Sequence, residues 1–410
     1  VIPVEEALER ILARVTPLGD ERVALTEALG RVLAEPVTAA RDMPPWPCSS
    51  MDGYALRAAD TLGARPDRPV RLDVAGAVPA GRLADRPAGS GEAWRIFTGA
   101  PLPEGTDAVV PQEDVRAEAG AVLVSAPVDA GAYVRPRAED MRAGERLLEP
   151  GRALGPAELG ALAAVGRHQL RVVRRPVVGI LSTGDELVDL GGAIGPGQVA
   201  NSNTYALMAQ VREAGGEPVN LGVAPDRLEA IRERLAWGLG ADAIVSSAGV
   251  SVGEHDHVKA ALAALGAEQH LWRVDMRPGK PITFATVPAG AGGAKRTVPV
   301  FGLPGNPVSA MVTFELFVRP ALRRMGGHRS LLRPILAARA LAPVPNPGRR
   351  RGYLRVVLER DGEGWGARLT GDQGSGILRS MVAADGLAVV PGDTTIPPGG
   401  LLSVIRLRGD

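Results

Sequence analysis

Apolar residues in the opening stretch VIPVEEALERILARV recur at Val4, Leu8, Ile11, Leu12 and Val15, the spacing of one face of a helix. Glu5, Glu6 and Glu9 interrupt the run, which sets it apart from the unbroken apolar stretch of a secretion signal. Residues 1 to about 45 read as helical and end in the proline-rich RDMPPWPCSSMDGYAL. From about 55 to 135 the pattern shortens. VRLDVAGAV, AWRIFTG, DAVVPQEDV and AVLVSAPV are short β-type runs between Gly and Pro, which predicts a small β unit. Residues 136–170 return to loop and helix, with PAELGALAAVG ended by Gly166, so the β unit reads as inserted into a helical one.

From about 172 to 326 strand and helix alternate. PVVGILST is a short buried strand followed by TGDEL, and NSNTYALMAQVREAGG is a helix with an Asn/Ser start and a glycine stop. PVNLGVA is the next strand, and DRLEAIRERLAWGLG a helix opened by Asp226 with Glu229 in capping-box position. AIVSSAG, DHVKAALAALG and VPVFGLPGNP continue the alternation, the last entering a helix at Pro307. Repeated βα units predict a parallel, doubly wound sheet. Residues 328–410 lose that rhythm: YLRVVLER, GWGARLT, GLAVVPG and LLSVIRLR read as a second small β unit. The expected fold is α/β and multidomain. Its parts are a helical and linker unit (1–45 with 136–171), an inserted β domain (46–135), a doubly wound domain (172–327) and a C-terminal β domain (328–410).

Ligands of doubly wound sheets sit outside the carboxyl ends of the strands, and STGDEL, VAPD, AGVSVGEHD and LPGNP all fall at that edge. Gly249, Ser251 and Gly253 precede a helix, where exposed amides cradle phosphate; an ordinary βα turn reads equally well. Glu186, Asp226 and Asp256 follow three different strands. Singly, Asp226 and Asp256 read as helix N-caps; jointly, the three carboxylates suit Mg²⁺ with substrate phosphate completing its shell. Two stiff turns, Pro278-Gly279 and Pro304-Gly305, stand close together in the chain, proline fixing φ and glycine permitting a sharp bend. Arg277 and Lys280 flank the first, either as a solvated pair or as donors to a tetrahedral oxyanion. His255, His257 and His270 have no thiol partner in reach and read as structural rather than zinc-binding. Asp52-Gly53 in SMDGYAL reads as a tight turn, and Glu139 and Asp140 as loop charges.

Composition narrows the field. Of 410 residues, 45% are hydrophobic and 23% charged, the balance of a globular protein. With 47 basic and 46 acidic residues and 3% aromatic, neither nucleic acid nor an anionic membrane is an expected partner. The single cysteine, Cys48, excludes an internal disulfide framework, and no stretch reaches the roughly 18 to 20 apolar residues of a spanning helix. The cytoplasm is the expected location.

The ordered set SSMDGYAL, FTGAPLPEGTDAVVPQED, AEDM, GILSTGDEL, NSNTYAL, AGVSVGEHD, MRPGKP, GLPGNPVSAMVTFE and DQGSGILRSMVAADGLAVVP resembles the MoeA-type molybdopterin molybdotransferases, the family that includes the E-domain of gephyrin. The resemblance covers nearly the whole chain. It implies a homodimer of elongated four-domain subunits that takes adenylylated molybdopterin and molybdate, transfers the metal to the dithiolene sulfurs and releases AMP with Mg²⁺. It implies acidic active-site positions at Asp52, Asp140, Glu186, Asp226 and Asp256, with Thr98 beside them. It further implies substrate-binding positions at Thr183, Asn203, Gly249, Ser251, Arg273, Arg277, Lys280, Pro304, Asn306, Pro307 and Ser309. Asp52 and Asp140, far from the doubly wound domain in sequence, would complete the site across the dimer. The implied partners include the pterin-adenylylating protein and maturation factors of molybdoenzymes. The sequence departs from the family at Ala248 and Ala138, where glycine is usual, and at Arg273 and Arg277, where lysine is frequent. A tungsten-inserting homologue, a molybdopterin adenylyltransferase and a gephyrin-like scaffold without catalysis remain alternatives.

Overall fold

The computed structural model describes residues 1–248, 257–289, 296–362 and 364–408. A sheet of six strands among these residues organises the middle of the chain, in the order Glu217–Ala224, Val177–Thr183, Ala243–Ser247, Arg296–Leu303, Pro281–Ala289, Glu268–Arg273. The first four run parallel and the last two antiparallel. Strand alternation sends Ile180 and Val245 to one face, against Leu207, Val211, Phe314 and Phe317. It sends Leu181 and Ile244 to the other, against Ile231, Leu235, Val258 and Leu262. Both faces are covered by helices, so the expected doubly wound domain is present. Phe284, Phe301, Phe314 and Phe317 are each 0% exposed, and each such burial stabilises by about 1.5–3 kcal/mol. The strands Glu268–Arg273 and Pro281–Ala289 are additions to the βα alternation read from the sequence; they extend the sheet as antiparallel edge members beyond the last parallel strand.

The first 45 residues contain a single α-helix, Val4–Leu12, rather than a helical unit. Asp20–Ala24 is instead a strand paired antiparallel with Gln169–Val173, Val23 facing Leu170. That long-range pairing outweighs a local pattern which gave no strong strand signal. The opening helix packs Val4, Ala7 and Ile11 into the core of the doubly wound domain. The inserted β domain is a six-stranded sheet in the order Ala108–Pro111, Gly53–Leu56, Glu92–Ile96, Val70–Val78, Ala121–Val124, Val115–Glu118.

At the C-terminal end, Arg351–Asp361, Gly364–Leu369, Ile335–Ala340, Leu401–Arg406 and Gly386–Val390 pair in sequence around a closed ring. The short strand Met276–Arg277 joins that ring by parallel pairing with Arg351 and Gly352. It thereby fastens the first Pro-Gly turn to the C-terminal domain. No helix among the described residues is long and apolar enough to cross a membrane.

Candidate active site

Four parallel strands end together at one edge of the sheet, and a cavity of about 580 Å³ opens there. Glu186, Asn201, Asn203, Ser247, Ala248, Pro281, Pro304, Gly305, Asn306 and Pro307 are among its lining residues. The helix Ser202–Glu213 starts at this edge because Asn201 caps it, its side chain accepting from Thr204 N. That start aims Asn203 across the cavity. Its Nδ2 donates to Ser247 Oγ and to the carbonyl oxygen of Gly305, both at 2.7 Å. Asn306 Nδ2 donates to Ser375 Oγ at 2.9 Å, and Val308 N donates to the Ser375 carbonyl at 3.1 Å. The C-terminal domain therefore closes over the entrance of the helix Pro307–Thr313.

The two Pro-Gly turns prove to be built differently. Gly279 has φ 106°, in the region glycine favours, and a Cβ there would overlap Thr313 Cγ2. Gly305 lies outside that region; its small size matters because a Cβ would stand 3.3 Å from that of Ala248. The first turn, with a cis Arg277-Pro278 bond, leads into Pro281 on the cavity wall. Lys280 is half-buried and Arg277 exposed, and neither is among the residues that line the cavity. Arg273 is half-buried at the end of its strand, and Ser309 is buried at 4% exposure. Thr183 Oγ1, at the end of the first strand, is buried without a hydrogen-bond partner among the described residues.

Asp226 does not cap the following helix. That helix spans Leu228–Gly238, with Arg227 in the cap position and no side-chain cap bond. The Asp226 amide instead donates to Asp185 Oδ1 at 3.1 Å. Burial, and then the charges of Asp185 and Glu186, push the Asp226 carboxyl above its ordinary range, with His257 opposing them. Glu186 folds back over Gly184, where a Cβ would lie 2.5 Å from one carboxylate oxygen and 2.7 Å from the other. Asp185 is a member of this cluster that the sequence reading passed over, although it stands inside TGDEL. Gly249, Ser251 and Asp256 lie outside the described residues, as does His255.

The N-terminal candidates form separate groups. Asp52 Oδ1 accepts from both the amide and the hydroxyl of Thr98, each at 2.7 Å. Those two bonds hold its carboxyl below the usual range, assisted by the field of Arg95. Asp140 lines another cavity with Met141, Glu145 and Arg146. None of the hydrogen bonds of Asp52 or Thr98 among the described residues reaches the edge of the doubly wound sheet.

A hard divalent cation needs oxygen donors and tolerates an incomplete protein shell when substrate phosphate supplies the rest. The mutual repulsion of Asp185, Glu186 and Asp226 fits such an ion. Among the described residues, however, no three acidic or thiol or imidazole groups are arranged to hold a metal alone.

Residues 2–166 match the MoeA N-terminal region (domain I and II), 179–324 a probable molybdopterin binding domain, and 337–407 the MoeA C-terminal region (domain IV). A molybdopterin molybdenumtransferase of Nostoc sp. is 40% identical over 392 residues, covering 94% of this chain and 88% of the relative. Molybdopterin molybdenumtransferase 2 of Mycobacterium tuberculosis is 38% identical over 380 residues, covering 90% and 91%. Two crystal structures of the molybdopterin biosynthesis protein MoeA from Pyrococcus horikoshii each superpose with TM-score 0.81, at 34% and 30% identity, covering 100% and 98% of this chain and 100% of theirs.

Proposed function

The chain belongs to the MoeA family of molybdopterin molybdenumtransferases, and from that membership we propose that it is a transferase of molybdenum cofactor biosynthesis that inserts molybdenum from molybdate into adenylylated molybdopterin and releases AMP. The observation that carries this reading is the convergence of Glu186, Asn203, Ser247 and residues 304–307 on one cavity at the carboxyl edge of the sheet. TGDEL, NSNTYAL and GLPGNP, far apart in the sequence, meet there.

Asn203 locks the Pro304-Gly305 turn to the strand end at Ser247, so the cavity wall is set before substrate arrives. Lys280 and Arg277 supply positive charge for molybdate, the tetrahedral oxyanion substrate. The start of the helical run at Pro307 adds its dipole, which favours an anion. Glu186 and Asp226, with Asp185 beside them, would hold Mg²⁺. That ion, when bound, supplies charge neutralisation at the adenylate phosphate. Asp52, anchored by Thr98, and Asp140 are assigned to the site of a second subunit in a homodimer, since their contacts within the subunit leave them away from this edge. The pterin-adenylylating protein is the expected supplier of substrate.

The test is single-turnover AMP release from adenylylated molybdopterin with Mg²⁺, with and without molybdate, while metal in the pterin product is followed. AMP release coupled to molybdenum incorporation is expected. ATP-dependent adenylylation of molybdopterin would make the protein an adenylyltransferase instead. Binding without AMP release or metal transfer, in folded protein, would leave only a scaffold.

A further inference from the structure

A second concave site lies at the opposite, amino-terminal end of the same sheet. Arg174 and Arg175 immediately precede the strand Val177–Thr183, and Gly215 precedes the strand Glu217–Ala224. A strand of this length spans roughly 20 Å, so this end is well separated from the cavity described above. The site has a volume of about 260 Å³ and brings together three parts of the chain. Arg31 comes from the N-terminal unit, Arg174, Arg175, Arg212 and Arg323 from the doubly wound domain, and His328 from the segment that leaves it.

The charges around it do not cancel. Arg31 is engaged by Glu21 and by the carbonyl of Val173, and Arg174 makes two bonds of 2.6 Å to Asp242. The only carboxylate lining the site among the described residues, Glu213, is taken by Arg333 at 2.8 Å. Among the described residues, the Arg323 side chain hydrogen-bonds only the carbonyl of Ser330, at 2.8 Å. Arg175 and Arg212 make no side-chain hydrogen bond or ion pair among the described residues. Three arginines thus line one small hollow without a counter-charge among the described residues. His328 Nδ1, in the same lining, is buried without a partner among them. Like charges gathered in a concave place repel one another, and the guanidinium fork is suited to oxygen atoms of phosphate. A volume equal to roughly eight waters accepts an anion of one or two phosphate groups and little more.

We propose that this hollow binds a small, multiply charged phosphate anion through Arg175, Arg212 and Arg323, next to His328. Such an anion neutralises guanidinium groups where the doubly wound domain meets the N-terminal unit, and stabilises the folded chain by mass action. The proposal does not depend on the reaction assigned to the other end of the sheet.

The experiment uses the full chain with inorganic pyrophosphate as probe and sodium chloride at matched ionic strength as control. The ring resonances of His328 are followed by NMR and assigned with His328→Gln. A saturable shift with pyrophosphate, absent with chloride, is expected. It should persist in Lys280→Ala and weaken at least about tenfold in Arg175→Ala/Arg212→Ala. Because both arginines are exposed, the double variant is expected to stay folded; Arg212→Ala alone provides the same test with a smaller change. Equal shifts from chloride, or binding lost in Lys280→Ala and retained in the double variant, would overturn the assignment.

Discussion

The carboxamide nitrogen of Asn203 donates to the carbonyl of Gly305 and to the hydroxyl of Ser247, at 2.7 Å in each case. One side chain thus ties a helix start, a strand end and a Pro-Gly turn that are remote in sequence. Asn203→Ala removes both ties at once. Single-turnover molybdenum insertion is expected to slow by about 10- to 100-fold, since a small loss of register is costly at a preformed site. Urea unfolding should show a loss of only about 0.5–1.5 kcal/mol. A rate equal to that of the parent protein would show that the Gly305 turn needs no such tether.

The Asp185, Glu186 and Asp226 cluster carries charge that the fold does not neutralise. Because the Asp226 pKa is raised in the folded state, its contribution to stability is present below the unfolded value and is lost as pH rises through the window up to the folded value. At neutral pH the ionised group is a liability. Asp226→Asn should therefore raise the melting temperature while lowering Mg²⁺-dependent AMP release. Added Mg²⁺ should raise the melting temperature of the parent protein and do so less in the variant. An identical Mg²⁺ increment in both proteins would remove Asp226 from the ion's site.

Two alanines stand where the backbone asks for glycine. Ala248 has φ 73° and Ala138 φ 60°, in the left-handed region that costs a residue with a Cβ roughly 1–2 kcal/mol. Ala138→Gly is expected to stabilise by about 1 kcal/mol in chemical denaturation. Ala248→Gly should do the same and also widen the contact with Gly305. A destabilisation by either change would mean that the methyl group packs better than the backbone strain costs.

His328 gives the junction an acid sensitivity. Burial, and then the charges of Arg323 and Arg319, push its pKa down to about 4. Its neutral form belongs to the folded state, so the stability it permits is complete above the unfolded value near 6.5 and is lost as pH falls toward about 4. Between pH 7 and pH 4.5 the folded state should lose on the order of 1–2 kcal/mol from this group. His328→Gln should flatten that part of the profile; unchanged slopes in the two proteins would contradict the assignment.

Much of the site was legible in the sequence because each βα loop carries its own local chemistry. TGDEL, NSNTYAL and PGNP each sit at a strand-to-helix turn, and the topology rule for doubly wound sheets puts such turns on one edge. Helix starts at Asn201 and Pro307 follow from capping and proline geometry within a few residues. Asp226 was different. It reads either as a helix cap or, with Glu186, as part of a joint carboxylate site; the fold removes the cap and adds Asp185 to the group.

What the sequence determined by itself was the βα alternation of the middle of the chain and the chemical character of each turn, since these depend on neighbours within a few residues. Tertiary structure alone decided the partners: Ser375 closing on Asn306, Asp20–Ala24 choosing a strand over a helix, and Arg175, Arg212 and Arg323 meeting in one hollow. Such meetings depend on distances between residues up to hundreds of positions apart, which only the packing of whole domains sets.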